Sequence, residues 1–328
     1  MIIDCAHYQD GRRTDEKGVP LLEVAARRTE GGFVWLGLFE PDKAELDHVR
    51  DVFGLHELAV EDALNMHMRP KIERYEPDIQ LVILRTARYD DAAEEVEFGE
   101  ISIFLAPTFI ITVRQGAASE LRGARQRLEQ HPELMDAGSA AALWAILDVV
   151  VDGYGPVVTE LERDIDQVEA TVFSGAAAQT ERIYSLRREA TDFYRAVHPL
   201  LPVTAALERM AEKKLRHYLR DVQDHLLLAD EEVAAQRDLL GTILEANMAV
   251  ISVEQTRVSI RQNSTIEQLT ILATVFLPLT FVTGFFGQNF GWLVNSVGSW
   301  EEFFGIGVGT EAVAVIFLLL LFKRRGWF

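Results

Sequence analysis

The sequence has a single cysteine, Cys5, among its 328 residues. One thiol excludes an internal disulfide framework and a multi-thiolate metal centre, and it suits a reducing compartment. Cationic side chains are scarce beside anionic ones, 32 Lys and Arg against 51 Asp and Glu, for a formal charge of −19. Nucleic-acid binding needs clustered cations for phosphate contacts, so no DNA or RNA partner is expected. An acidic field attracts cations instead. The opening MIIDCAHYQDGRR lacks an apolar core of signal-peptide length, so this end is expected to stay in the cytosol. There is no P-loop, nucleophile elbow or HExxH, and an enzyme is not expected. The eight histidines show no zinc-binding spacing on one helix, and Cys5 with His7 is too isolated to argue a site.

Residues 1–135 alternate short apolar runs with polar helical stretches. Phe33–Leu38, Ile79–Tyr89 and Ile101–Arg114 are rich in β-branched and aromatic residues and read as strands. PDKAELDHVRDVFG and HELAVEDALN read as helices, the first with Pro41 and Asp42 at its start and Gly54 at its end. The expectation is an α+β cytosolic domain of mixed strand and helix order. From about Ala140 onward no strand is expected. One helix covers the stretch to Phe173 with a possible kink at Gly153–Pro156, and a second runs from about Ala178 towards Pro199.

Proline and glycine then almost vanish. After Pro202 the next proline is Pro278, and Gly241 is the one glycine between them. Leu215, Leu219, Val222, Leu226, Val233, Leu240 and Leu244 recur at three and four spacing, which predicts one very long helix from about 203. Some 75 residues would span roughly 110 Å. Such a helix cannot bury itself and needs partner helices, within a bundle or an oligomer. Residues 136–268 are expected to form this helical stalk.

Charge vanishes next. No charged residue lies between Glu267 and Glu301. The run from Leu269 to about Phe290 is long enough to cross a bilayer, which takes about 20 residues. After a loop, 291–305, a second apolar segment covers about Ile306 to Phe322, with Glu311 near the outer interface. The tail 323–328, KRRGWF, is basic and aromatic, and the positive-inside tendency places it in the cytosol. A multi-pass protein of a prokaryotic inner membrane, both termini cytosolic, is expected. The alternative is a pair of buried core helices.

The first apolar run carries a stripe of small, polar or single bulky residues: Asn263, Ile266, Leu269 (or Thr270), Ala273, Leu277, Thr280, Gly284 and Gly287. Ile271, Val275, Phe276, Phe281, Val282 and Phe285 occupy the other faces. Polar residues in a membrane helix face a bundle interior or a water path. Repeated around a symmetry axis, the stripe makes a pore; alternatively, it lets helices pack closely. Pro278 frees the carbonyl of Thr274, which needs a partner in a membrane.

The chain resembles the CorA family of divalent-cation channels, two-span proteins with a Gly-x-Asn signature. HELAVEDALNMHMRPKIERYE resembles the family's cytosolic segment, RDVQDHLLLADEEV its stalk helix, LTILATVFLPLTFVTGFFGQNF its first span, and the basic-aromatic tail its ending. The departure is Gln288, where the family usually has Met. The zinc-transporting branch also varies at this position. The resemblance implies a funnel-shaped homopentamer whose first spans line the pore, with Gly287, Gln288 and Asn289 ringing the outer mouth as a filter. Mg²⁺ dehydrates reluctantly and keeps its waters. Asn289 carboxamides accept hydrogen bonds from those waters without stripping them, whereas a carboxylate ring would hold the ion harder. Thr280 then offers a hydroxyl ring, and Leu277, Leu269 and Ile266 form apolar constrictions. Asn263 forms a polar ring at the cytosolic end, and Glu301 and Glu302 attract cations to the mouth.

The resemblance also implies an intersubunit regulatory metal, Mg²⁺ here, between Asp62 and Asp221, with Glu61, Asp152 and Asp224 as further acids in reach. Hard oxygen ligands suit Mg²⁺ or Ca²⁺. Metal bridging two subunits would favour a closed pore. No organic cofactor is expected. The acidic stretches LERDIDQVEA and ADEEV read as solvated faces. The expected function is transport of Mg²⁺, with Co²⁺ or Ni²⁺ as further cargo. A zinc transporter of the same family and a membrane-tethered sensor without transport are the alternatives.

Overall fold

The computed structural model describes the chain except residues 1, 10–11, 16–19, 29–31, 67–68, 76–77, 118–119, 175–179, 289–290, 297 and 325–328. It divides into two compact units, Met1–Met248 and Ala249–Phe328.

Among the described residues the first unit is built on seven strands: β1 (Ile2–Gln9), β2 (Arg12–Asp15), β3 (Phe33–Phe39), β4 (Lys71–Tyr75), β5 (Ile79–Asp90), β6 (Glu95–Ala106) and β7 (Phe109–Gln115). They form one sheet in the order β2-β1-β3-β7-β6-β5-β4. Only β3 and β7 pair in parallel; the other neighbours are antiparallel. The expected single strand over Ile101–Arg114 is a hairpin instead, β6 turning into β7 at Pro107 and Thr108. Proline has no N–H for a ladder, so the break falls there. The apolar pattern on either side gave no warning, because both arms are buried on both faces.

Strand alternation feeds two cores. Val34, Leu36 and Leu38 point to one side of the sheet, under α1 (Leu21–Arg27), α2 (Lys43–Phe53) and α3 (Glu57–Leu64). Phe33 and Trp35 point to the other, under α4 (Arg122–Gln130), α5 (Ser139–Asp152), α6 (Tyr154–Phe173), α7 (Thr180–Val197), α8 (Leu200–Met210) and the start of α9 (Lys213–Phe286). Helix α2 shows why its ends fall where they do. Asp42 accepts from the Glu45 amide at 2.8 Å while Glu45 accepts from the Asp42 amide, a reciprocal cap, and Gly54 closes the helix at φ 73°. The α5 and α6 run is apolar enough to cross a membrane by composition, yet it is core here.

The long helix begins at Lys213 rather than near 203. Ala211 is extended at ψ 149° and separates α8 from α9. No glycine or proline marks this break, so propensity missed it. Along α9 the buried positions run Leu215, Leu219, Val222, Leu226, Ala229, Val233, Gln236, Leu240, Ile243 and Asn247. Steps of four and three alternate without a fault, a heptad seam. Its two polar members each donate across the seam: Gln236 to the Val158 carbonyl at 2.8 Å and Asn247 to the Thr180 hydroxyl at 3.1 Å.

The second unit contains the rest of α9, α10 (Gly291–Ser296), α11 (Trp300–Glu302), a π-helical stretch Phe303–Val308 and α12 (Gly309–Arg324). Helix α9 continues unbroken through Pro278. The C-terminal part of α9 and the Trp300–Arg324 segment are long and apolar enough to span a bilayer. From the start of α5 onward the described residues form no strand.

Candidate functional site

Two groups of residues carry the functional argument, the stripe on α9 and the acids of the first unit. On α9, Ile271, Thr274, Val275, Pro278, Leu279 and Val282 are half-buried, and Ala314, Val315, Leu318 and Leu321 form a matching row on α12. Both rows have helical spacing, so each helix has one covered face. Asn263, Ile266, Leu269, Ala273, Leu277, Thr280 and Gly284 are all exposed. At ~100° per residue their mean direction lies roughly half a turn from the covered row. The stripe is therefore the side of α9 turned furthest from its covered row. Leu277 is 74% exposed, a large apolar side chain left mostly open by the described residues.

The threonines of this run are arranged alike. Thr280 donates its hydroxyl proton to the Phe276 carbonyl at 2.8 Å, Thr270 to Ile266 at 2.8 Å and Thr274 to Thr270 at 2.7 Å. With its proton spent on the helix, the Thr280 oxygen presents only lone pairs outward. Such an acceptor matches the waters around a cation, whose hydrogens point away from the ion.

Helix α9 ends at Phe286. The Gly287 amide donates to the Thr283 carbonyl at 2.9 Å and the Gln288 amide to Phe285 at 3.2 Å. A Cβ on Gly287 would stand 3.2 Å from the Thr283 oxygen, so glycine lets the closing turn approach. Gln288 is exposed, and Asn289 lies outside the described residues. Glu302 accepts from the Ser299 and Gly298 amides at 3.2 and 3.1 Å, which commits its carboxylate to a local turn. Glu301 is exposed beside it.

The acids of the first unit fall into two places. Asp62, in the last turn of α3, accepts from the Lys71 ammonium of β4 at 2.5 Å; Lys71 also donates to Glu73 at 3.0 Å. The Tyr75 hydroxyl donates to the second Glu73 oxygen at 2.7 Å, and the His56 ring stacks on Tyr75 at 4.9 Å. Burial opposes the charge on Lys71, but its bonds to Asp62 and Glu73 outweigh that and raise its pKa. The Tyr75 hydroxyl first, then Lys71, hold Glu73 below the usual carboxylate range. Glu61, next to Asp62, is exposed.

Asp152 ends α5 and bridges two elements. Arg127 of α4 donates to it at 2.7 Å, and His225 of α9 lies 3.3 Å from its other oxygen. Arg127 also pairs with the buried Asp148. Asp221 and Asp224 are exposed on α9, one turn and one residue before His225. The fold thus gathers Asp152 and the Asp221 turn around His225, and holds Asp62 separately with Lys71. Among the described residues no group of three His, Cys, Asp or Glu side chains converges as a metal site. Sequence reasoning missed Lys71, Arg127 and His225, all partners to acids it had chosen. A search for basic neighbours of each candidate acid would have reached His225, next to Asp224, and Lys71, nine residues from Asp62, but not Arg127.

Comparisons with known proteins bear on this arrangement. The family model described as CorA-like Mg²⁺ transporter protein matches residues 30–324. The cobalt/magnesium transport protein CorA of Thermotoga maritima is 27% identical over 332 residues, covering 99% of this chain and 92% of its own. The complete structure of the CorA magnesium transporter from Methanocaldococcus jannaschii covers all of both chains with a TM-score of 0.63 at 18% identity. That likeness is one of fold, and it extends over the sheet, the long helix and the last helix.

Proposed function

Because the chain belongs to the CorA-like Mg²⁺ transporter family, we propose that it is a divalent-cation channel of the membrane that takes up Mg²⁺, and also Co²⁺ or Ni²⁺. The observation that carries this reading is the exposed stripe from Asn263 to Gly284, opposite the face of α9 that its own chain covers. In a homopentamer with both termini cytosolic, five such stripes enclose a path. The proposed domain plan takes residues 1–135 as cytosolic domain, 136–268 as stalk, 269–290 and 306–322 as spans, 291–305 as outer loop and 323–328 as cytosolic tail.

A hydrated dication meets Asn289 first, with Gly287 and Gln288 shaping the turn that presents it. Thr280 then receives hydrogen bonds from the ion's waters, because its own proton is held by Phe276. Neutral acceptors bind weakly enough to let the ion go on. Leu277, Leu269 and Ile266 form dry constrictions that close the path when it narrows, and Ala273 leaves room between them. Asn263 hands the ion to the cytosolic side.

Asp62 of one subunit and Asp221 of the next are the proposed regulatory ligands, with Glu61, Asp152 and Asp224 near them. The donor chemistry fits a hard cation, and Lys71 shows that Asp62 already accepts a positive group. The metal biases gating because only approached subunits present both acids together.

The test is Mg²⁺ uptake into liposomes holding the purified protein, read with an internal Mg²⁺-sensitive dye, beside Asn289→Ala and with Zn²⁺ and Co²⁺ as rival ions. Mg²⁺ flux that falls in Asn289→Ala is expected. Zn²⁺ flux without Mg²⁺ flux would move the protein to the zinc branch that Gln288 keeps open. A folded oligomer stripped of metal that passes no dication would be a tethered sensor instead.

A further inference from the structure

The Lys71 ammonium lies between two carboxylates, 2.5 Å from Asp62 and 3.0 Å from Glu73. Lys71 and Glu73 are two residues apart on one strand, so their side chains leave the same face of β4. The ammonium can therefore pass wholly to Glu73 by a side-chain rotation, with the strand unmoved. Glu73 is built to receive it. Its second oxygen is held by the Tyr75 hydroxyl, and Tyr75 is held in turn by the His56 ring. Asp62 and Lys71 are each 28% exposed, so ions from solvent reach the pair.

We propose that Lys71 is a tethered competitor for the regulatory dication: it neutralises Asp62 until a dication displaces it onto Glu73. The inference rests on the proposed role of Asp62 and Asp221 as regulatory ligands. A tethered cation is present at high effective concentration, so it sets a threshold that a free ion must exceed. A monovalent ion gains no more from Asp62 than the ammonium already does. A dication that also reaches the partner subunit's acid gains two carboxylates, and displaces the lysine. Lys71 thus sharpens the site in two ways: it rejects monovalent ions, and it makes capture conditional on subunits standing close together.

The experiment titrates Mg²⁺ against the thermal unfolding midpoint of the full-length, detergent-solubilised oligomer at fixed pH and ionic strength, since a ligand of the folded state raises that midpoint. Lys71→Met and Lys71→Gln are expected to reach half-effect at about fivefold lower Mg²⁺, the scale of one partly exposed ion pair. Lys71→Arg keeps the wild-type titration. Glu73→Gln removes the resting place of the ammonium and shifts half-effect to higher Mg²⁺. In Asp62→Asn the Lys71→Met shift disappears. A Lys71→Met or Lys71→Gln titration that coincides with wild type, or moves to higher Mg²⁺, while Asp62→Asn and Asp221→Asn weaken the response, overturns the competitor and leaves the sensor standing. Unchanged titrations in Asp62→Asn and Asp221→Asn remove the sensor reading and the competitor with it.

Discussion

The hydrophobic residues buried in the described chain lie in Met1–Met248, with Phe322 the exception in Ala249–Phe328. The first unit hides its apolar side chains on both faces of a sheet, under three helices on one side and six on the other. The second leaves Ile266, Leu269, Phe276, Leu277, Phe281 and a run of α12 residues outside. One composition class, two fates: in the first unit apolar area is removed from water by the chain itself, and in the second it stays outside the chain's own core. The difference explains why a core substitution and a stripe substitution in the same chain have different readouts.

The comparison breaks most severely at Phe193, fully buried in the first unit beside Tyr154. Phe193→Ala is expected to cost about 3–5 kcal/mol, seen as a fall in the thermal unfolding midpoint of the detergent-solubilised chain. Leu277→Ser tests the other side. It leaves that midpoint unchanged and raises Mg²⁺ flux in liposomes about tenfold, the effect of ~1.4 kcal/mol off a barrier, by wetting a dry constriction. A Leu277→Ser protein that unfolds early and conducts no faster would show that the stripe is packing, not path.

A smaller effect is expected at the seam. The Gln236 carboxamide oxygen is buried without a partner while its nitrogen bonds Val158. Gln236→Leu loses one hydrogen bond and relieves one unsatisfied group, so stability changes by no more than about 1 kcal/mol in either direction. The smallest effect is one of pH. Burial raises the pKa of Glu189, against its hydrogen bonds from the Val96 amide and Ser185. A raised folded-state pKa gives stability that is present at acid pH and lost as pH rises through that value. Glu189→Gln is therefore more stable than wild type at neutral pH, and the two unfolding midpoints converge on acidification.

The parts of this molecule that were legible in the sequence are those where the local signals do not conflict. Helix α2 was readable because its cap, its period and its terminal glycine agree. The α9 stripe was readable because a helix imposes its spacing on every side chain it carries. Strands β1, β2 and β4 were not read, and no apolar run marks them: β4 is Lys-Ile-Glu-Arg-Tyr at the sheet edge, none of it fully buried. That blind spot hid Lys71, because its contact with Asp62 exists only once β4 lies beside α3. The start of α9 was misplaced for a related reason. A single extended residue, Ala211, makes the break, and alanine favours helix. The acids themselves were found through resemblance, and their partners only through the fold.

The seam of α9 constrains how its stalk can move. A slide by one heptad would preserve the alternation of four and three, so the apolar positions alone permit it. It would, however, pull Gln236 from the Val158 carbonyl and Asn247 from the Thr180 hydroxyl, and set both amides against aliphatic neighbours. Each stranded amide costs on the order of 1–3 kcal/mol. Two amides eleven residues apart thus act as bolts through the bundle. Sliding by a heptad therefore costs this helix both amide bonds at once, whereas a small tilt need break neither.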